Sequence, residues 1–153
     1  MRKLVKQQAK PLSPENYIKT KARSLPIFKC LITANWKATR LAQIAVIRAH
    51  TNGNYTFGSY LVDLFALGTK DSMYKFNVSP FVVKDLERMT NFVEVDYNLV
   101  HNIIFGSNKF AIKNGFKIHK DFEKITQHIL EIDNDKIPFI ELEFGKEGKP
   151  LII

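Results

Sequence analysis

The chain has 153 residues, 45% of them hydrophobic and 12% aromatic, and its 23 Lys and Arg outweigh 15 Asp and Glu to a net charge of +8. That is one domain's length, with enough apolar mass for a core that needs no staple, and the single cysteine, Cys30, excludes a disulfide framework and a cysteine-based zinc site. No apolar run approaches the ~18–20 residues of a membrane span, and the start MRKLVKQQAK has no apolar signal core, so the expectation is a cytoplasmic protein without membrane contact.

Charge is placed unevenly. Residues 1–24 hold Arg2, Lys3, Lys6, Lys10, Lys19, Lys21 and Arg23 against Glu15 alone, so six of the eight net charges lie there. Two units are expected: a basic arm, residues 1–12, and a single α+β domain, residues 13–153. An electropositive arm on a near-neutral domain is a footprint of polyanion binding, since each Lys or Arg on a phosphate releases condensed counterion. A solubilising tail would have the same composition.

Along the chain, Ser13-Pro14-Glu15 reads as a helix start, with a hydroxyl cap, proline at the first helical position and an acid in the first turn. That helix runs to about Ser24, before Pro26. Strands are predicted at residues 27–34 (IFKCLITA) and 41–50 (LAQIAVIRAH), with the loop NWKATR between them. Asn52-Gly53 favours a two-residue type I′ turn into a third strand from Tyr55 to about Leu67. Residues 73–78 (MYKFNV) supply a short fourth strand.

The period then changes. Ser79-Pro80 starts a helix to about Met89, and Asp96 caps a longer one that Gly115 ends. The apolar residues at 99, 100, 103, 104 and 111 make one stripe, and His101, Phe105 and Ile112 a second, so this helix is expected to be central and contacted on two sides. Asp121 reads as the cap of the helix FEKITQHILE. The loop EIDNDK follows, then PFIELEF, GKEGKP and LII as strand, turn and strand. The expected architecture is α+β: an antiparallel sheet of three to four N-terminal strands on about three helices, with a C-terminal strand or hairpin.

A two-residue turn would pair Arg48 with Phe57, Val46 with Ser59 and Ala42 with Asp63. Asp63 would then share a sheet face with Leu61, Phe57, Ile44 and Val46. A carboxylate in such company must find donors, because an unpaired buried charge costs several kcal/mol. Two accounts stay open: a structural Asp paired with Arg40, Lys70 or the amides of GTKDS, or a catalytic one.

The stretches NGNYTFGSYLVDLFALGTKD, GFKIHKDFEKITQHIL and FGKEGKP together resemble a group of small bacterial proteins, over roughly residues 16–153. The resemblance implies a single bacterial cytoplasmic domain and brings no activity with it.

Other constellations are weaker. His119 and Asp121 could set an imidazole beside a carboxylate for general acid–base chemistry. Asp63, Asp71, Glu94, Asp96 and Glu141 are carboxylates of the type a Mg²⁺-dependent nuclease uses, though nothing selects among them. His101 and His128 lack a partner at metal-ligand spacing, so no metal or other cofactor is expected. No G-x-S-x-G, phosphate loop or G-x-G-x-x-G occurs. Tyr55, Phe57, Arg48 and His50 near the hairpin tip, and Trp36-Lys37 with Arg40, interleave rings with cations as a stack on unpaired bases would need. The expected function is nucleic-acid binding, directed at structured RNA or the ribosome, through Arg2, Lys3, Lys6, Lys10, Lys19, Lys21, Arg23, Trp36, Arg40 and Arg48. The alternative is an enzyme, a hydrolase or metal-dependent nuclease, using Asp63, His119 and Asp121.

Overall fold

Apolar runs rich in β-branched residues form a meander: β1 (Ile27–Thr33), β2 (Leu41–Ala49), β3 (Tyr55–Asp63) and β4 (Gly68–Val78). The structure is a computed structural model that describes residues 12–89 and 91–152. A further strand, β5 (Phe92–Val95), lies along the other side of β1, giving the order β4-β3-β2-β1-β5 with every neighbour antiparallel. The helices are α1 (Pro14–Lys21), α2 (Trp36–Thr39), α3 (Pro80–Arg88), α4 (Tyr97–Lys113) and α5 (Lys120–Lys124). Tight 3₁₀ turns follow α1 at Ala22–Ser24 and α5 at Thr126–Ile129. The expected α+β class holds, but with five strands and five helices among the described residues rather than three to four and three. None of these helices is long and apolar enough to cross a membrane.

Local chemistry sets the helix ends. Ser13 Oγ accepts the Asn16 N–H at the start of α1, and Asp96 accepts that of Asn98 at the start of α4. Gly115, at φ +89°, ends α4 with the Phe116 N–H returning to the Ala111 carbonyl. Asp121 does not cap α5: the cap position is His119, and Asp121 sits in the first turn.

The β2–β3 turn differs from expectation, and the register with it. His50 N–H donates to the Asn54 carbonyl and Gly53 N–H to that of His50, with Gly53 alone of the loop at positive φ, +89°. This is a three-residue loop, a type I turn closed by one left-handed residue, not a type I′ turn with two. Ala49 therefore faces Tyr55, Arg48 faces Thr56 and Leu41 faces Asp63. A slip of one residue exchanges the faces of one strand relative to its partner. Asp63 is thus on the face of Leu41, not with Ile44 and Val46.

Each face has its own cover. Cys30, Ile32, Ala42, Ile44, Val46, Tyr60 and Val62 pack against Ile18 of α1, Val100, Ile103 and Ile104 of α4, and Phe122 of α5. On the other face Leu31, Ala45, Ile47 and Phe57 meet Val83 and Leu86 of α3, and Lys29 pairs with Glu87. β3 ends at Asp63 rather than Leu67, and β4 starts at Gly68 rather than residue 73.

Among the described residues, the expected C-terminal strand or hairpin does not join the sheet. Residues 138–145 form no regular element, and side chains and loop backbone take the place of a neighbouring strand. Asn102 Nδ2 donates to the Pro138 carbonyl and its Oδ1 accepts the Ile140 N–H. Arg40 donates to the carbonyls of Glu143 and Gly145, while Gly145 N–H reaches the Leu64 carbonyl. What hairpin character there is rests on the bridge of Lys146 with Lys149.

Gly53→Val should destabilise the domain by about 1 kcal/mol or more, because a β-branched residue resists positive φ, and Gly53→Asn should recover most of the loss. Thermal or urea melts of the three forms check this; equal stability of the Val variant would count against the three-residue turn.

Candidate functional site

The three candidate catalytic residues stand in three different settings. Asp63 closes the turn between β3 and β4: its carboxylate accepts the N–H of Phe65 at 2.9 Å and of Leu67 at 3.2 Å. These are the backbone donors that a turn leaving a sheet would otherwise strand. Arg40 and Lys70 are not its partners, and neither are the amides of GTKDS.

His119 meets β4 instead of Asp121. Its Nδ1 lies 3.3 Å from Ser72 Oγ and its Nε2 3.5 Å from Asp71 Oδ1. The series Ser72, His119, Asp71 has the order of a nucleophile, base and orienting acid. Ser72, however, is buried, and its hydroxyl is also bonded to Thr126 Oγ1 at 2.8 Å. The adjoining cavity, bounded by Gln43, Ser59 and Leu61, has a volume of about 70 Å³, too small for a substrate beside a nucleophile. Asp121 is exposed.

The candidate nucleic-acid residues divide by chemistry. Arg2, Lys3, Lys6 and Lys10 lie outside the described residues. Lys19 and Lys21 are exposed on α1. Three arginines turn inward. Arg23 donates from Nε to the Leu130 carbonyl at 2.7 Å and from Nη2 to that of Gln127. Arg40 holds the C-terminal segment, pairs with Glu143 at 2.6 Å and lies over the Phe65 ring. Arg48 is 1% exposed and bonded to the carbonyls of Ile129 and Leu25 and to Glu131. Trp36 is buried in the core, with Lys37 beside its ring. The tip set Tyr55, Phe57, Arg48 and His50 is dispersed by the register: Phe57 joins the α3 side, whereas Tyr17, His50 and Phe76 cluster with centroids 5.1–5.7 Å apart.

One polar array has no counterpart among the expected site residues. Glu131 N–H donates to Tyr97 Oη at 2.8 Å, and Tyr97 Oη lies 2.6 Å from His101 Nδ1. His101 Nε2 is 3.0 Å from Asp133 Oδ1, and Lys109 Nζ is 2.9 Å from Asp133 Oδ2. Burial, outweighing the Asp133 bond, holds the His101 pKa below its ordinary 6.5. Burial pushes the Asp133 carboxyl up, but bonds from Lys109 and His101 prevail and keep it below the ordinary 3.8. At neutral pH Asp133 is therefore a carboxylate and His101 a neutral imidazole. Its Nε2–H donates to Asp133, so Nδ1 accepts the Tyr97 hydroxyl, whose own pKa burial raises. Both ring nitrogens are occupied, and the array works as a clasp between α4 and residues 131–133.

The clasp borders a cleft of about 450 Å³ between α4 and residues 133–139, lined on its other sides by Phe105, Lys109, Asp135 and Phe139. The sequence signal is partial: Tyr97 and His101 are four apart on one helix face, but nothing local ties Asp133 to them. Among the described residues, no three His, Cys, Asp or Glu side chains converge as a metal site. Comparison with family models, curated proteins and solved structures gave no match to this chain.

Asp63→Asn retains one acceptor oxygen but faces the second turn N–H with an amide donor, and should lower stability by about 1–3 kcal/mol. Unfolding free energies with and without Mg²⁺ check it; an unchanged stability, or a Mg²⁺ stabilisation that vanishes on substitution, would contradict the structural role.

The clasp predicts a pH response. With its native pKa depressed, His101 binds fewer protons folded than unfolded as pH falls below 6.5, so the unfolded state gains and stability is lost on acidification. His50 and His128, also held low by burial, add in the same direction. Wild type should lose stability between about pH 7.5 and about pH 5.5, and His101→Gln should lose less over that interval. Equal losses in the two forms would remove His101 from the response.

Proposed function

We propose that the protein is a basic, single-domain nucleic-acid-binding module of the cytoplasm, directed at structured RNA, including that of the ribosome, through its N-terminal arm. The observation that carries this reading is the placement of charge: six of eight net charges fall in residues 1–24, and the lysines of α1 in that stretch face solvent. Arg2, Lys3, Lys6 and Lys10 extend the same polarity. Of the candidate arginines among the described residues, those at positions 23, 40 and 48, each able to read a base edge or phosphate bidentately, are bonded internally.

That division gives the interaction its character. Lysine ammonium groups act as point charges on phosphates and carry no sequence information by themselves. Affinity is then electrostatic, weakly selective for sequence and steeply dependent on salt. The enzyme alternative receives no such support, since Asp63, His119 and Asp121 are not assembled around a common space.

With Lys19, Lys21 and four arm cations on phosphates, the slope of log affinity against log salt should be roughly −4 for single-stranded RNA. Deleting residues 1–12 leaves Ser13 to cap α1, so the melting temperature should hold while the slope becomes shallower by roughly 3. An unchanged affinity and slope would end the RNA reading.

A further inference from the structure

The side chain of Phe139 is the most exposed large apolar group among the described residues, at 83%. A solvated aromatic alone needs no explanation, but this one sits on a pinned backbone. Asn102 holds the residues on both sides of it, donating to the Pro138 carbonyl at 3.0 Å and accepting the Ile140 N–H at 3.0 Å. The ring is therefore presented at the rim of the 450 Å³ cleft, with little ordering left to be done on binding.

Across the cleft stand Phe105 and Lys109. Lys109 is 73% exposed and donates to Asp133 Oδ2. Lys109 offsets the charge of Asp133, whose other oxygen is held by His101 Nε2, so that pair is close to neutral and Asp135 leaves the cleft a carboxylate with no cation of its own in the lining. Asp135, also in the wall, offers acceptors to a base amine or a ribose hydroxyl. Apolar ring faces beside an acceptor carboxylate in a space of this size match an unpaired base, which offers a π-face and amine donors at its edge.

We infer that the cleft between α4 and residues 133–139 receives one unpaired base of the bound RNA, stacked on Phe139 with its exocyclic amine on Asp135 and its phosphates left outside. The premise is the nucleic-acid reading above, which this deepens from charge to shape: the arm and α1 hold the backbone of structured RNA, and the cleft selects a site with a base free to leave the stack. Bases in loops and bulges meet that condition, while paired ones do not.

The test measures the affinity of the full chain for a single-stranded oligoadenylate of about 12 nucleotides and for an RNA duplex of about 12 base pairs. Phe139→Ala should weaken the oligoadenylate roughly tenfold or more and leave the duplex unchanged, since stacking on an aromatic ring acts only on an unpaired base. Phe139→Trp should restore binding, with its indole fluorescence quenched by the oligoadenylate. Phe81→Ala serves as the control, because Phe81 is likewise exposed, at 73%, but begins α3 on the opposite side of the sheet. If Phe139→Ala binds the single strand as wild type does, or Phe81→Ala loses as much, the cleft is not a nucleotide site, though RNA binding through the arm stands. If wild type binds neither RNA, the premise itself falls and the cleft assignment with it.

Discussion

The guanidinium of Arg48 is carried by β2 into the layer between the sheet and its helices, where a cation must be fully compensated or costs several kcal/mol. Its donors are distributed over three parts of the chain: the Leu25 carbonyl just before β1, the Ile129 carbonyl in the last 3₁₀ turn, and the Glu131 carboxylate. These acceptors need it as much as it needs them. A 3₁₀ turn leaves its last carbonyls without intrahelical partners, and here Arg48 takes that of Ile129 and Arg23 that of Leu130, while Tyr60 Oη donates to Thr126 and Arg23 adds a second bond at Gln127. The chain leaving this turn is thus held by arginine side chains, and Glu131, fixed in this way, presents the N–H that orients Tyr97 and hence the His101 clasp.

The same demand for donors explains what a charge count can and cannot reveal. Arginine and lysine contribute equally to a net charge of +8, but their donors do different work inside a fold. Arginine's planar fork reaches several carbonyls at once and is weakly hydrated, whereas an ammonium is compact and strongly hydrated. Positions 23, 40 and 48 accordingly fasten loops, and Lys19 and Lys21 remain at the surface. Treating the basic residues as one set puts Arg48 at an interface, although it is 1% exposed.

Most elements were legible where a period or a cap was strong: Ser13-Pro14, Ser79-Pro80, Asp96 and Gly115 mark ends that the structure keeps within a few residues. The register was not. Asn52-Gly53 is compatible with a two-residue or a three-residue loop, and only the parity of the flanking strands could choose. Both faces of β2 and β3 are apolar because helices cover each, so the alternation that would have decided between them is missing. β5, four residues of FVEV, is too short to announce itself. PFIELEF misleads in the opposite way, since its alternation is that of a strand while its hydrogen bonds are made by Asn102 and Arg40.

Those two side chains tie the candidate site to the fold. Asn102 lies one residue after His101 on α4, so the helix turn that sets the clasp also sets the clamp around Phe139. Gly106, one turn further, leaves room for Phe144: a Cβ there would fall 2.4 Å from its ring. One face of α4 therefore holds the C-terminal segment at Asp133, at Pro138 and Ile140, and at Phe144, while Arg40 takes over at Glu143 and Gly145. The cleft lies between the first two of these attachments, where the segment departs from the helix and returns. Its width is consequently set by the bonds of His101, Asn102 and Asp133, which form part of its lining. Substitution of Phe139, whose side chain makes none of these bonds, can change what the cleft holds without changing its shape, whereas loss of the His101 or Asn102 bonds would release one wall.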